Sequence, residues 1–398
     1  MLLPCVSSRL DRPWRGAGGV AGVKPEGKKA RKTGMEKRLD RVAFGRVLLI
    51  KPSSLGDVVR CLPVLHGLRE RYPRARLSWL VRPDCAAIVR GLRGLDEVIE
   101  FDRRRYGRVG VSVAAAGEFV GFAKGLRARG FDLVLDLQGL FRSGFLAWAT
   151  GAGVRLGFGR RRRGFTGARE LAWVFYTHRL AAPGRVEHAV ESYWRFAEAL
   201  GFGARPKRFD LEVDEGAAGG AREMLRGQGV SEGVRYGVLL IGGSERAKWW
   251  PGERYGQLAR VLKERQGTVS VLLGAGPEEE AAAEEMARAA GVVSLVGKTT
   301  LAEAVAVLRG ARWVVGNDSG LLHVAAALHR PVVGLYGPTD PLVVGPYGER
   351  VAVVEAGAGL ARRGRYSREP GHRMENITVE EVAEQVGRKV GVGEGGVS

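Results

Sequence analysis

Between Trp313 and Pro341 the chain alternates strand, turn, helix, strand and turn within 29 residues, and this run constrains the fold more than any other. Two short apolar runs, Trp313–Val315 and Val332–Tyr336, flank a helical run, Leu321–Leu328. Apolar runs of that length around a helical period form a βαβ unit. The loop Gly316-Asn317-Asp318-Ser319-Gly320 falls where the first strand ends and the helix begins. Backbone N–H groups there lack intrahelical partners, and the helix dipole adds roughly half a positive charge, so an anion such as a phosphate is the natural guest. Gly337-Pro338-Thr339-Asp340-Pro341 follows the second strand and opens on the same carboxyl edge, where open parallel sheets hold their ligands.

The same alternation recurs along the chain. In the first half, Arg46–Ile50, Leu77–Val81, Val98–Phe101, Leu133–Leu137 and Val154–Phe158 read as strands. Helical patterns near 58–71, 86–92 and 116–129 separate them, and His188-Ala189-Val190-Glu191 begins another helix. In the second half, Tyr236–Ile241, Val269–Leu273 and Val292–Val296 precede the opening unit, with helices near 252–264, 277–290 and 301–309. Thr378 and Glu381 form a capping box for a last helix ending near Val390. This predicts an α/β protein with two Rossmann-like, doubly wound domains facing a cleft. The expected divisions are a basic tail (1–44), a first domain (45–205), a second domain (206–376) and a C-terminal helix with a frayed end (377–398), joined by a linker around 201–215.

At 398 residues, 45% hydrophobic and 27% charged, the chain is long enough for two globular domains. It holds no run of 18 apolar residues. The net charge of +20 predicts an anionic partner: nucleic acid, an acidic membrane surface or a phosphorylated substrate. Part of it lies in residues 1–41, with 11 Lys or Arg against 4 Asp or Glu; that stretch is expected to be disordered, and Met35 is an alternative start. Cys5, Cys61 and Cys85 have no metal-ligand spacing and suggest a reducing compartment.

The loops at strand ends carry the chemistry. Asp57, in Ser54-Leu55-Gly56-Asp57, falls in the first turn of a helix: it is either a cap or a carboxylate kept ionised to act as a base. Asp136-Leu137-Gln138-Gly139 is either turn chemistry or a site. Arg103-Arg104-Arg105 follows the third strand and could grip phosphates or carboxylates; Arg160–Arg163 forms a second basic run. Gly242-Gly243-Ser244 lets backbone approach a ligand, and Lys248 supplies a point charge. An acidic residue after Gly274-Ala275-Gly276 could take ribose hydroxyls or simply favour a helix start. Gly297-Lys298-Thr299 is no P-loop, since Val292 stands where that motif needs glycine.

Together, Ser54-Leu55-Gly56-Asp57, Lys248-Trp249-Trp250-Pro251, Asn317-Asp318-Ser319-Gly320 with His323, and Tyr336-Gly337-Pro338-Thr339-Asp340-Pro341 resemble the bacterial lipopolysaccharide heptosyltransferases of glycosyltransferase family 9. The resemblance runs from about Arg46 to Val390 and leans toward the type that adds the first heptose. It implies a GT-B fold and an inverting, metal-independent transfer of heptose from ADP-heptose to an inner-core 3-deoxy-manno-octulosonic acid, with no cofactor. By it, Asp57 is the general base. Ser244, Lys248, Glu278, Asp318, Ser319 and Gly320 form the donor side. Ser54, Gly56, Arg103, Arg104, Arg105 and Gln138 form the acceptor side. The implied partners are the lipid A–octulosonic acid acceptor and, peripherally, the cytoplasmic face of the inner membrane, with no nucleic acid. Where the family carries paired hydroxyl residues before the lysine, this chain has Gly243-Ser244. Another glycosyltransferase or a nucleotide-sugar epimerase keeps the same fold. A nucleic-acid-binding protein is suggested by charge alone, without an interleaved basic and aromatic surface.

Overall fold

The computed structural model describes residues 39–106, 112–160, 167–181, 187–203, 207–357 and 366–391. Most of the basic tail (1–38), Arg161–Arg163, part of the expected linker (204–206) and the chain's end (392–398) lie outside these residues.

The apolar runs form two six-stranded sheets. In the first, β1 (Arg46–Ile50), β2 (Arg76–Val81), β3 (Glu97–Glu100), β4 (Leu133–Asp136), β5 (Val154–Phe158) and β6 (His178–Leu180) lie in the order β3-β2-β1-β4-β5-β6. In the second, β7 (Tyr236–Leu240), β8 (Val269–Leu273), β9 (Val293–Ser294), β10 (Val314–Asn317), β11 (Val332–Tyr336) and β12 (Val351–Glu355) lie in the order β9-β8-β7-β10-β11-β12. The two windings are the same, and every pairing is parallel. Strands such as β11 are buried throughout, which is why they read as unbroken apolar runs rather than alternating ones. This is the two-domain GT-B arrangement that the resemblance implies.

In the first half, α1 (Leu55–Arg60) and α2 (Leu62–Arg71) follow β1, and α3 (Pro83–Val89) follows β2. A short α4 (Arg103–Tyr106) and α5 (Val113–Ala128) follow β3, α6 (Phe141–Ala149) follows β4, and α7 (Ala189–Ala199) follows β6. In the second half, α8 (Glu215–Gly227) precedes β7, and α9 (Gly252–Gln266), α10 (Pro277–Ala290), α11 (Leu301–Gly310), α12 (Gly320–Ala327) and α13 (Pro341–Val344) connect the strands in turn. The closing helix α14 (Val379–Gly391) packs on α9, β11 and β12. Its capping box forms as expected, with the Thr378 hydroxyl and Glu381 carboxylate bonded to each other and to the facing backbone N–H groups.

Several elements differ from the expectation. The single helix expected near 58–71 begins three residues earlier and breaks at Cys61, because Pro63 has no N–H to continue the ladder. Strands β6 and β12 and helices α4, α6, α8 and α13 are additional. The α6 interior carries Gly144, costly in helix propensity by about 1 kcal/mol. A Cβ there would stand 3.0 Å from the Ala172 carbonyl oxygen, a tight contact that glycine avoids.

The halves meet through α1 and α3 of the first against α12 and α11 of the second, and one apolar cluster runs through this contact. Gly56 in α1 lies so close to α12 that a Cβ would stand 2.6 Å from the His323 ring. Gly320 in α12 lies so close to α1 that a Cβ would stand 2.7 Å from Leu55 Cβ.

Candidate functional site

Each sheet changes winding direction between its first and fourth strands in sequence, β1/β4 and β7/β10, and crevices open beyond the carboxyl ends at such points. Between the halves lies a cavity of about 440 Å³. The loops after β1, β7, β8 and β10 and the start of α11 line it. Ser54, Gly56, Ser244, Lys248, Asp318, Ser319 and Gly320 all reach its wall.

On the second-half side, Asn317 organises the loops. It is fully buried at the end of β10. Its Oδ1 accepts from the Trp250 N–H at 3.2 Å and the Tyr255 hydroxyl at 3.0 Å, and its Nδ2 donates to the Gly242 carbonyl at 2.9 Å. One amide thus ties the β10 loop to both ends of the Gly242–Trp250 segment. Lys248 Nζ lies 3.3 Å from Asp318 and 3.2 Å from Glu245. Ser319 caps α12 by position, yet its hydroxyl is buried and has no hydrogen-bond partner. The Arg246 guanidinium stacks 4.2 Å from the Trp249 ring centroid.

Of the consecutive glutamates at the start of α10, the structure places Glu279 at the cavity wall, not Glu278. Glu278 occupies the second helical position and is exposed. Glu279, at the third, turns back over the loop, where its carboxylate accepts from the Gly243 N–H at 3.1 Å and the Ala275 N–H at 2.7 Å. Burial raises its pKa, and the two amides pull the other way. Glu279 also explains the glycines beside it: a Cβ on Gly242 would stand 2.1 Å from its carboxyl carbon. Gly243 has φ +138°, a conformation that side-chain-bearing residues rarely adopt, so the backbone itself disfavours a paired hydroxyl residue there.

On the first-half side, Asp57 sits in the first turn of α1, and its neighbours Ser54, Leu55, Gly56 and Arg60 line the cavity. Its carboxylate, 20% exposed, lies 2.8 Å from Arg60 Nη1 and 3.4 Å from Lys51 Nζ. Burial works against the Lys51 charge, but Asp57 and Tyr193 outweigh it and its pKa rises. The same holds for Arg60, where Asp57 and Asp318 outweigh burial. Asp136 is turn chemistry. Fully buried, it accepts from the Gln138 and Gly139 amides and from the Tyr176 hydroxyl at 2.6 Å. Gln138 is half-buried and does not line the cavity; its Oε1 is buried without a hydrogen-bond partner. Arg103, Arg104 and Arg105 also stand away from the cavity. They sit beyond β3, the edge strand two places from β1, and Arg105 is held by Glu118 at 2.6 Å.

Two features had no sequence reading. Arg60 reaches from α1 into the second half, and no local pattern signals a contact between residues 263 apart. Thr299 and Thr300 bring the start of α11 to the cavity; the readable signal was the capping box of Thr300 with Glu303.

His188 caps α7 and bridges the halves. Its Nδ1 accepts from the Val190 N–H at 3.2 Å, so Nε2 carries the proton and donates to the Gly345 carbonyl at 3.0 Å. Burial, then the Arg60 charge, pushes its pKa down to about 4. An unfolded histidine titrates near pH 6.5. Between these values the unfolded chain binds the proton and the fold does not, so stability falls as pH drops through that window, by on the order of 3 kcal/mol at most. Thermal unfolding at pH 7.5 and 5 is expected to show a larger loss for the parent protein than for His188→Gln; equal losses would contradict the assignment.

Among the described residues no cluster of three or more His, Cys, Asp or Glu is arranged to hold a metal, and no helix is long and apolar enough to cross a membrane.

Residues 120–370 match the model of glycosyltransferase family 9 (heptosyltransferase). The chain is 32% identical over 315 residues to lipopolysaccharide heptosyltransferase 1 of Escherichia coli (strain K12), covering 78% of this chain and 93% of that protein. The solved structure of E. coli heptosyltransferase WaaC with ADP superposes with a TM-score of 0.69 at 30% identity, over 86% of this chain and 99% of that one. The same enzyme with ADP-2-deoxy-2-fluoro heptose gives a TM-score of 0.67 at 29% identity, over 86% and 99%.

Proposed function

The chain belongs to glycosyltransferase family 9, and from that premise we propose that it is a lipopolysaccharide heptosyltransferase, transferring heptose from ADP-heptose to an inner-core octulosonic acid with inversion and without a metal. The observation that carries this reading is the cavity between the halves, with a paired carboxylate beside one wall and a lysine beside a helix start on the other. The relatives solved with ADP and with an ADP-heptose analogue support the donor.

On this reading an acceptor hydroxyl attacks the anomeric carbon of heptose while Asp57 takes its proton. The new C–O bond forms as the bond to the diphosphate oxygen breaks, and ADP leaves. A positioned base contributes about 10²–10⁴-fold. The charge developing on the diphosphate is met by Lys248, the hydroxyls of Ser244 and Ser319, and the N–H groups opening α12 at Gly320. Donors fixed in this way often accelerate a reaction more than the base does. Asp318 keeps Lys248 in place from 3.3 Å. On the acceptor side, Ser54 and Gly56 line the cavity from the first half, whereas Arg103, Arg104, Arg105 and Gln138 stand outside it. The net charge of +20 suits a protein that works peripherally at the cytoplasmic face of the inner membrane.

The test is incubation with ADP-heptose and a lipid A precursor bearing octulosonic acid, with mass detection of the product. Gain of one heptose on the acceptor supports the proposal; heptose consumption that ignores the acceptor overturns it. For the donor side, Glu279→Ala is expected to weaken ADP binding about tenfold, the loss of one charge-assisted contact and the loop it holds. Glu278→Ala should stay within about twofold. Calorimetry of ADP binding to both variants decides between the two glutamates.

A further inference from the structure

We infer that Arg60 is a positioning residue that holds the Asp57 carboxylate in place only while the two halves are in contact, so that base alignment and lobe contact are one event. This rests on Asp57 as the base. Arg60 and Asp57 lie three residues apart on one face of α1. The guanidinium divides its two arms between the halves. Nη1 donates to Asp57 Oδ1 at 2.8 Å. Nη2 donates to His323 Nε2 at 2.7 Å and to the Val344 carbonyl oxygen, both in the second half. Because arginine can only donate, His323 Nε2 is the acceptor and the imidazole proton sits on Nδ1.

The seat of Arg60 is enclosed. Arg60 is 5% exposed, and its Nε has no hydrogen-bond partner, so the two Nη groups fix its seat. The groups around the pair are Lys51, Cys61 and Tyr193 from the first half, and Asp318, His323 and Tyr336 from the second, with His188 also acting on Arg60. His323 packs on the backbone of Gly56, one residue before the base. If the halves part, Nη2 loses both acceptors, while Lys51 still faces Asp57 from the first half at 3.4 Å. A planar fork bridges two partners in fixed directions, and one lysine ammonium does not reproduce that.

The experiment uses the full chain, with Arg60→Ala, and with Arg60→Lys as the variant that keeps the charge should alanine fail to fold. Transfer kinetics are read together with amide hydrogen exchange by mass spectrometry. Arg60→Ala is expected to lower kcat about 10²-fold while leaving both KM values within about threefold. It should also speed exchange about tenfold in segments 55–60 and 320–327 together. Arg60→Lys should show the same exchange increase with a smaller kcat loss. Guanidinium at tens of millimolar (on the order of a weak ligand's Kd) should restore part of the alanine variant's rate, and urea, the neutral shape analogue, should not. A kcat within about threefold of the parent, a loss residing in donor KM, or equal rescue by urea would each overturn the inference. If the parent protein transfers no heptose, the functional reading fails; exchange then decides the coupling alone, with an unchanged rate in 55–60 and 320–327 overturning it.

Discussion

Asp57→Ala is expected to lower heptose transfer by about 10²–10⁴-fold while ADP affinity, read by calorimetry, changes less than about threefold. The split follows from the geometry. Asp57 belongs to α1, and the donor-side contacts belong to the loops of the second half. Alanine also leaves Lys51 and Arg60, 3% and 5% exposed, without the carboxylate they share. Removing one partner from such a cluster destabilises by about 3–5 kcal/mol. Asp57→Asn is the cleaner companion, since it keeps the shape and the Arg60 contact but cannot take a proton. It should fall nearly as far in rate with less loss of thermal stability. Near-normal turnover in either variant would remove Asp57 from the mechanism.

Lys248→Ala should be comparable in size and broader in signature. Its ammonium lies between Asp318 and Glu245 and is 11% exposed. Without it, the Asp318 carboxylate at the cavity wall loses its lysine partner beside the position assigned to a diphosphate. Loss of one fixed donor at a leaving group costs about 10²–10³-fold in kcat, and ADP affinity should fall by about 10²-fold because this contact also serves the ground state. Measured together, ADP binding and turnover separate the variants: Asp57 substitutions act on rate, Lys248 substitutions on both. A Lys248→Ala protein that bound ADP like the parent would place the diphosphate elsewhere.

The parts of this molecule that were legible in the sequence share one physical origin. A parallel strand covered on both faces is written as a continuous apolar run, so β1, β7 and β11 stand out. Polar and glycine residues directly after such runs fall at the carboxyl edge, so Ser244, Lys248 and Asp318 could be found without coordinates. What stayed hidden depended on helix phase or on distant partners. Three glutamates in a row, Glu278 to Glu280, look equivalent until the helix start fixes which one turns back over the loop. Arg60 in Val58-Val59-Arg60 looks like an ordinary solvated arginine, because its acceptors come from the other half. Strand β6 carries His178 and Arg179 within three residues, too short and too polar to announce itself, yet it completes the sheet at the edge beside β5.

The starts of α1 and α12 touch through Gly56 and Gly320, each seated against a side chain of the opposite helix. Neither glycine has a positive φ, so the backbone alone would accept alanine at both. What forbids a methyl is the other lobe. These two positions therefore act as a spacer gauge: a single added carbon at either would prop the lobes ajar without disturbing the folding of its own half. A chain so altered would keep two folded halves while losing the alignment between them, a defect visible only in the assembled pair.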